Sequence, residues 1–276
     1  MDQEFDISIR ASSLPTFFDC SERWRAQQLD GLWLPSGSAA SIGTAVHAGT
    51  ESWDHARLLG MPPSLQEATG AAAQSVERPA GEVVWNDNTQ AKAKDVATTL
   101  VLNYCQNLAE QFTFDVVEMP MESLIVQATN GLRIRFTGKV DRRRVVGDRR
   151  GVVDIKTGAR VVRSDGTVNV QQSIGQLATY EMLELMASRT LGKFELLPAM
   201  IFGMPTAGRQ QPAAGEVSRP HRILTGDAQH KGAIDIIAET VKSGNFIGNA
   251  RSYLCGAKYC PVYNKCRWRG ADYDGE

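Results

Sequence analysis

What the sequence lacks narrows its reading first. It lacks net charge: 30 Lys and Arg oppose 31 Asp and Glu, a formal −1. Bulk composition therefore announces no polyanionic partner, and any nucleic-acid affinity must come from a local patch. It lacks a run of about 18 apolar residues, the minimum for a membrane-spanning helix. Its opening residues, MDQEFDISIR, are acidic and contain no apolar core, so no secretory signal is read there. A cytoplasmic location without a membrane partner is expected. No internal repeat is present, and no Gly-rich nucleotide loop supports a redox enzyme. Cysteine is scarce, with five in 276 residues, yet three fall in the run CGAKYCPVYNKC: Cys255, Cys260 and Cys266. A reducing compartment disfavours structural disulfides, so clustered cysteines read as metal ligands.

What is present is an ordinary globular composition, 42% hydrophobic and 22% charged. Length allows one large domain or two small ones. A helix is predicted over Leu14 to Leu29, its apolar face built from Leu14, Phe17, Phe18 and Trp24. A second runs from about Ile42 to Leu59. Residues 60–86 read as irregular, and a long helix follows from about Thr89 to Phe112. The period then changes. SLIVQA, LRIRFTGKVDRRRVV and GVVDIKT are rich in Val, Ile, Phe and Thr, with Asn130-Gly131 and Gly147-Asp148 as turns. These read as consecutive antiparallel strands. A helix over about Gln171 to Ser188, the strand LPAMIFGM, a loop PTAGRQQPAAGEVSRP, an edge strand HRIL and a helix over about Thr225 to Ser243 complete the pattern. The order argues for an α/β fold with a mixed central sheet flanked by helices.

Two carboxylates and a lysine stand out in the strand region. Asp141 ends Gly138-Lys139-Val140-Asp141, and Asp154 lies in Val153-Asp154-Ile155-Lys156. If the strands pair through the turn near Gly147, the two carboxylates approach one another. Asp154 and Lys156 are two apart and share one strand face, while Ile155 points into the core. Two hard oxygens and the Ile155 carbonyl suit Mg²⁺ or Mn²⁺. Such a cation would bind a scissile phosphate and acidify a bound water. Lys156 would orient that water or stabilise growing anionic charge. A surface hairpin with ordinary strand-end charges is the competing reading, because D-x-K recurs by chance.

His47 and Glu51 share a helix face, and neutral imidazole is a competent ligand whose tautomer a carboxylate can fix. For a lone histidine, a half-buried side chain in a packed helix is the stronger reading. Gln172, Gln176 and Tyr180 form a polar stripe that faces either the site or solvent. Arg142, Arg143 and Arg144, with Arg149, Arg150, Arg133 and Arg135, read as phosphate contacts or as a solvated hairpin tip. In the tail, Tyr259, Tyr263 and Trp268 offer base-stacking surfaces.

At these residues the chain resembles the RecB-like branch of the PD-(D/E)xK nuclease superfamily. Its pattern of G-x-x-x-H, G-x-(V/I)-D, (D/E)-x-K and Q-x-x-x-Y occurs in order as Gly43 to His47, Gly138 to Asp141, Asp154 to Lys156 and Gln176 to Tyr180. The resemblance spans Cys20 to Cys266. It implies a restriction-endonuclease-like fold and a metal-dependent DNA nuclease, and the expected activity is that of an exonuclease acting in recombination, repair or DNA processing. His47, Asp141, Asp154 and the Ile155 carbonyl become metal ligands, with Lys156 the catalytic lysine. Gln176 and Tyr180 support the site or touch DNA. Glu118 or Glu122 is the candidate for an additional upstream glutamate. A helicase, recombinase or integrase partner is compatible with the resemblance.

Iron–sulfur members of this branch carry one cysteine before the core and three after it. Cys20 in FFDCSERW resembles the first, and Cys260-Pro261 to Cys266 resembles C-P-x-x-x-x-C. Cys255 departs from the pattern, with four residues between it and Cys260 where two are usual. By count, four thiolates suit a 4Fe–4S cluster or Zn²⁺ equally; the resemblance favours iron. The expectation is then one nuclease domain over 1–276, with a core of about 40–245 and cluster-binding elements at about 14–30 and 250–270. Cys105 reads as core. A non-catalytic DNA-binding subunit with a structural metal site is the rival.

Overall fold

The computed structural model describes residues 4–85, 88–191 and 195–269. Strand β1 (Ile7–Arg10) leads into two short helices, α1 (Leu14–Asp19) and α2 (Ser21–Gln28), where the sequence predicts one. The break falls at Cys20, whose backbone is extended at φ −156° and ψ 96°. Strand β2 (Ser36–Gly37) precedes the 21-residue α3 (Ser38–Leu58). Residues 60–86 are not all irregular. They contain α4 (Leu65–Glu77), begun by a Ser64 cap whose side chain accepts from the Glu67 amide, and the short β3 (Val83–Val84). The buried stripe Ala68, Ala72 and Val76 explains the miss, because small residues make a faint apolar pattern. Helix α5 (Gln90–Asn107) follows, capped by Thr89.

Strand β4 (Phe114–Pro120) is one the sequence reading omitted. The segment LRIRFTGKVDRRRVV, read as one strand, is two: β6 (Arg133–Thr137) and β7 (Lys139–Val146). They join different sheets, parting at Gly138. Strand β5 (Leu124–Gln127) pairs with β6, and β8 (Arg149–Thr157) pairs with β7, both antiparallel. Helix α6 (Ile174–Leu191) leads to β9 (Ala199–Met204). The edge strand is β10 (Ala213–Val217), inside the predicted loop. HRIL instead opens the short helix α7 (Arg222–Thr225), and α8 (Ala233–Ser243) is the last long element.

The main sheet has the order β10-β9-β8-β7-β4 and is mixed, because β8 and β9 run parallel while the other pairs are antiparallel. A second sheet has the order β1-β6-β5. Strand alternation sorts the main sheet's two faces. Val153 and Ile155 of β8 and Met200, Phe202 and Met204 of β9 pack against α3, α4 and α5. Val152, Ala199 and Ile201 point the other way, toward Leu177 and Tyr180 of α6. Trp24, Ile134, Phe136 and residues of α6 and α8 form a third cluster joining the second sheet to the helices around it. No helix among the described residues is long and apolar enough to cross a membrane.

Candidate active site

The β7–β8 hairpin fixes the acidic pair. Its register runs from Val146↔Arg149 to Arg142↔Val153. One step further along that register, Asp141 faces Asp154. There the Ile155 amide donates to Asp141 Oδ2 at 2.6 Å. Asp154 shares the face of Val152, so it turns toward α6, where Gln176 Nε2 donates to its Oδ1 at 2.8 Å. The same amide lies 2.9 Å from the Tyr180 hydroxyl. Gln176 and Tyr180 are buried, whereas Gln172 is exposed, so the predicted polar stripe splits between the site and solvent.

The other Asp154 oxygen, Oδ2, is buried and lacks an aligned hydrogen bond; its neighbour is the Lys156 ammonium at 2.7 Å. Burial alone would lower the Lys156 pKa, but Asp154 and Asp141 outweigh it and raise it. Lys156 therefore stays an ammonium. Ile155 is buried in the α3 side of the core, as its position between the two predicts.

Helix α3 brings His47 to the same place. Its Nδ1 lies 3.1 Å from Glu118 Oε1 and 3.7 Å from Asp141 Oδ1. Among the described residues, His47, Glu118 and Asp141 form the group of three His, Cys, Asp or Glu side chains whose ligand atoms all fall within 4.8 Å of one another. Glu118, not Glu51, meets the imidazole, and Glu122 is exposed. The signal for Glu118 was weak because its strand was unpredicted. Its backbone is also unusual, with φ 50°. A non-glycine residue held there costs on the order of 1–3 kcal/mol and persists only where the surroundings enforce it.

The electrostatics follow from this crowding. Burial, then the neighbouring Asp154 carboxylate, pushes Asp141 up to about 6. For Glu118, burial acts upward but is outweighed by the His47 bond and the Lys139 ammonium 2.7 Å from Oε2, which bring it down to about 2. Burial would lower His47, yet Asp141 and Glu118 outweigh it and raise its pKa. The repulsion between the buried Asp141 and Asp154 carboxylates is what a bound cation would relieve.

Two motif glycines allow the close approach. A Cβ on Gly138 would lie 2.7 Å from Tyr180 Cε1, and one on Gly43 would lie 3.2 Å from Thr157 Oγ1. Gly138 thus lets α6 reach the strand start, and Gly43 lets α3 lie against the end of β8.

The arginine expectations are corrected. Arg142 is fully buried, paired with Asp54 at 2.7 Å and Glu118 at 3.2 Å. Arg143 is held by Asp115 and Glu184, and Arg144 by Glu216 and the Pro198 carbonyl. Charges placed that deep are retained by their partners, not offered to phosphates. Arg149 and Arg150 sit at the hairpin tip. That is the opposite end of the strands from Asp141, about 13 to 17 Å away at roughly 3.3 Å per residue.

The cysteines meet as well. Cys20, Cys255, Cys260 and Cys266 line one cavity together with Arg23 and Trp268. Cys260 is raised by burial and by the nearby Cys20 and Cys266 thiols. The tail is tied to the first helices independently of any metal. Ser252 Oγ donates to Asp19 Oδ2 at 2.6 Å, and the Ile247 amide donates to Ser21 Oγ at 2.8 Å. Cys105 is buried on α5, away from this group and among core residues.

A four-motif site on a mixed sheet with flanking helices defines a nuclease of the PD-(D/E)xK type. The family model of the PD-(D/E)XK nuclease superfamily matches residues 8–267, and the chain belongs to that superfamily. No curated protein sequence matches it. Among solved structures, it is similar to a protein from Eubacterium rectale described as a candidate exonuclease, at 15% identity and a TM-score of 0.53. That alignment covers 90% of this chain and 86% of the other, and it shows the fold. SSO0001 aligns at 15% identity with a TM-score of 0.46, over 98% of this chain and 91% of its own.

Proposed function

We propose that the chain is a divalent-metal-dependent DNA nuclease that works as an exonuclease. The observation that carries the metal dependence is the convergence of His47, Glu118 and Asp141 beside Asp154 and Lys156. One imidazole and carboxylate oxygens make a donor set for Mg²⁺ or Mn²⁺. His47, Glu118, Asp141 and Asp154, with the Ile155 carbonyl, would hold the cation. When bound, such a cation neutralises phosphate charge and acidifies water. Lys156 presents its ammonium to the attacked phosphate, where anionic charge grows. Gln176 holds Asp154 Oδ1 and so keeps the other oxygen, Oδ2, turned to Lys156 and the site. The description of the Eubacterium rectale neighbour as a candidate exonuclease supports cleavage from an end.

The phosphate-contacting role passes from the buried arginines to the tail. Tyr253 is 81% exposed, its ring 5.7 Å from Tyr259, and Lys258, Arg267 and Arg269 lie over tail aromatic rings. Aromatic faces and cations of this kind serve strand binding without sequence preference.

The cysteine cavity is the second element of the proposal, a 4Fe–4S cluster joining the two ends of the fold. Four thiolates suit zinc as well by count; the resemblance, with one cysteine before the core and three after it, is what favours iron.

The test is anaerobic purification with iron and zinc analysis, then incubation with end-labelled single- and double-stranded DNA and Mn²⁺. Brown, iron-loaded protein that shortens DNA from an end supports the reading. Binding without cleavage under any divalent metal would make the chain a non-catalytic DNA-binding subunit.

A further inference from the structure

One guanidinium touches every element that supplies the His47–Glu118–Asp141 trio. Arg142 Nε donates to Asp54 Oδ2 at 2.7 Å, and its Nη2 donates to Thr50 Oγ1 at 3.1 Å. Both partners lie on α3, the helix of His47. Its Nη1 donates to Glu118 Oε1 on β4 at 3.2 Å and to the Asp141 carbonyl on β7 at 2.6 Å. Asp54 is itself held by the Tyr104 hydroxyl of α5 at 2.5 Å. A rigid planar fork with five donors is suited to this task in a way that a lysine is not.

We infer that Arg142 is a positioning residue for the cation site, acting through Glu118. The inference rests on the metal-dependent reading above. Glu118 is the trio member that most needs holding. Its side chain is 6% exposed and its backbone sits at φ 50°, so neither water nor a relaxed strand geometry fixes it. Two cations attend it. Lys139 reaches Oε2 but is 55% exposed, so water screens and competes with that contact. Arg142 is wholly buried and reaches Oε1, the oxygen that faces His47. The fully desolvated cation is the one that can fix where that oxygen lies. A group that orients a ligand without touching the metal governs affinity for it.

The alternative is that Arg142 only ties α3 to the sheet. The two separate in a calorimetric titration of metal-free protein with Mn²⁺, at a temperature where circular dichroism shows each variant folded. R142K should bind Mn²⁺ about 10- to 100-fold more weakly than the parent. In an E118Q background the same change should cost less than about threefold, because its effect runs through Glu118. K139M should also cost less than about threefold. Folded R142K with parental affinity, or an equal loss with and without Glu118, overturns the inference. Should R142K fail to fold, D54N loosens the anchor of the same guanidinium; about tenfold weaker binding supports the inference and unchanged binding overturns it. A parent protein that binds no Mn²⁺ overturns the metal reading, and this inference with it.

Discussion

Asp141, Asp154 and Lys156 stand on two paired strands, and Asp154 is 1% exposed at its side chain. Cys20, Cys255, Cys260 and Cys266 come instead from a helix junction and from turns of the tail, and three of the four are only partly buried. The first site is held by a hydrogen-bonded ladder and by buried partners on three other elements. The second is held by a few bonds to Asp19 and Ser21. A site on rigid strands keeps its geometry without a ligand, whereas a site on turns depends on what it binds. The first should therefore fail in chemistry and the second in stability.

The largest effect that sharpens this contrast is loss of cleavage. D154N or K156A should lower the rate of DNA cleavage by about a thousandfold or more while the melting temperature stays within a few degrees, on the scale of losing one charge-stabilising group. Cleavage assays beside thermal melts check it, and retained activity in either variant would sink the assignment.

Next comes pH. Asp141 has its pKa raised to about 6, and that of His47 is raised as well. Both must lose their protons to bind a cation. Below about pH 6, the Mn²⁺ concentration needed for half-maximal activity should rise tenfold to a hundredfold per unit, one or two protons competing with each metal. A flat profile from pH 7 to 5 would contradict the ligand roles of both. The same shift carries a stability sign. A carboxyl whose folded pKa is raised binds its proton more tightly when folded, so stability falls as pH rises from the ordinary carboxylate range to about 6, and the cost is complete above that. D141N should remove that cost in the metal-free protein, raising stability at pH 8 while abolishing cleavage. Paired melts at pH 8 and pH 5 test this, the gain shrinking at the lower pH.

Third, Q176A should reduce cleavage by about 10- to 100-fold, since it frees Asp154 Oδ1 without removing a ligand. The smallest effect on chemistry belongs to the tail. C260S should bleach the protein and cut stability by several kcal/mol, a fall of about 10 °C. Its cleavage rate per folded molecule should stay within about threefold of the parent if the cysteine cavity is a staple. A hundredfold fall in that normalised rate would erase the distinction between the two regions.

Much of the site was legible because its residues lie in short motifs. Asp154, Ile155 and Lys156 declare their faces by alternation alone, and Gly138 marks an approach too tight for a Cβ. Glu118 was only loosely indicated, since FDVVEMP carries no turn signal before it and its residue lies at an unusual φ. The arginine run misled for a related reason. Three consecutive arginines look like a charged surface, but each finds a carboxylate from a distant segment, Asp54, Asp115 or Glu216.

The sequence by itself determined the alternating strands, the acidic pair with its lysine, the clustering of cysteines in the tail, and the superfamily to which these belong. Periodicity and spacing are local properties, and a strand or helix obeys them wherever it is placed. Tertiary structure alone decided that Glu118 meets His47, that β6 and β7 part at Gly138 into separate sheets, and that Arg142 is a buried strut instead of a phosphate clamp. Those outcomes depend on contacts between residues 24 to 92 positions apart. Local spacing carries no record of which distant carboxylate a buried charge must find.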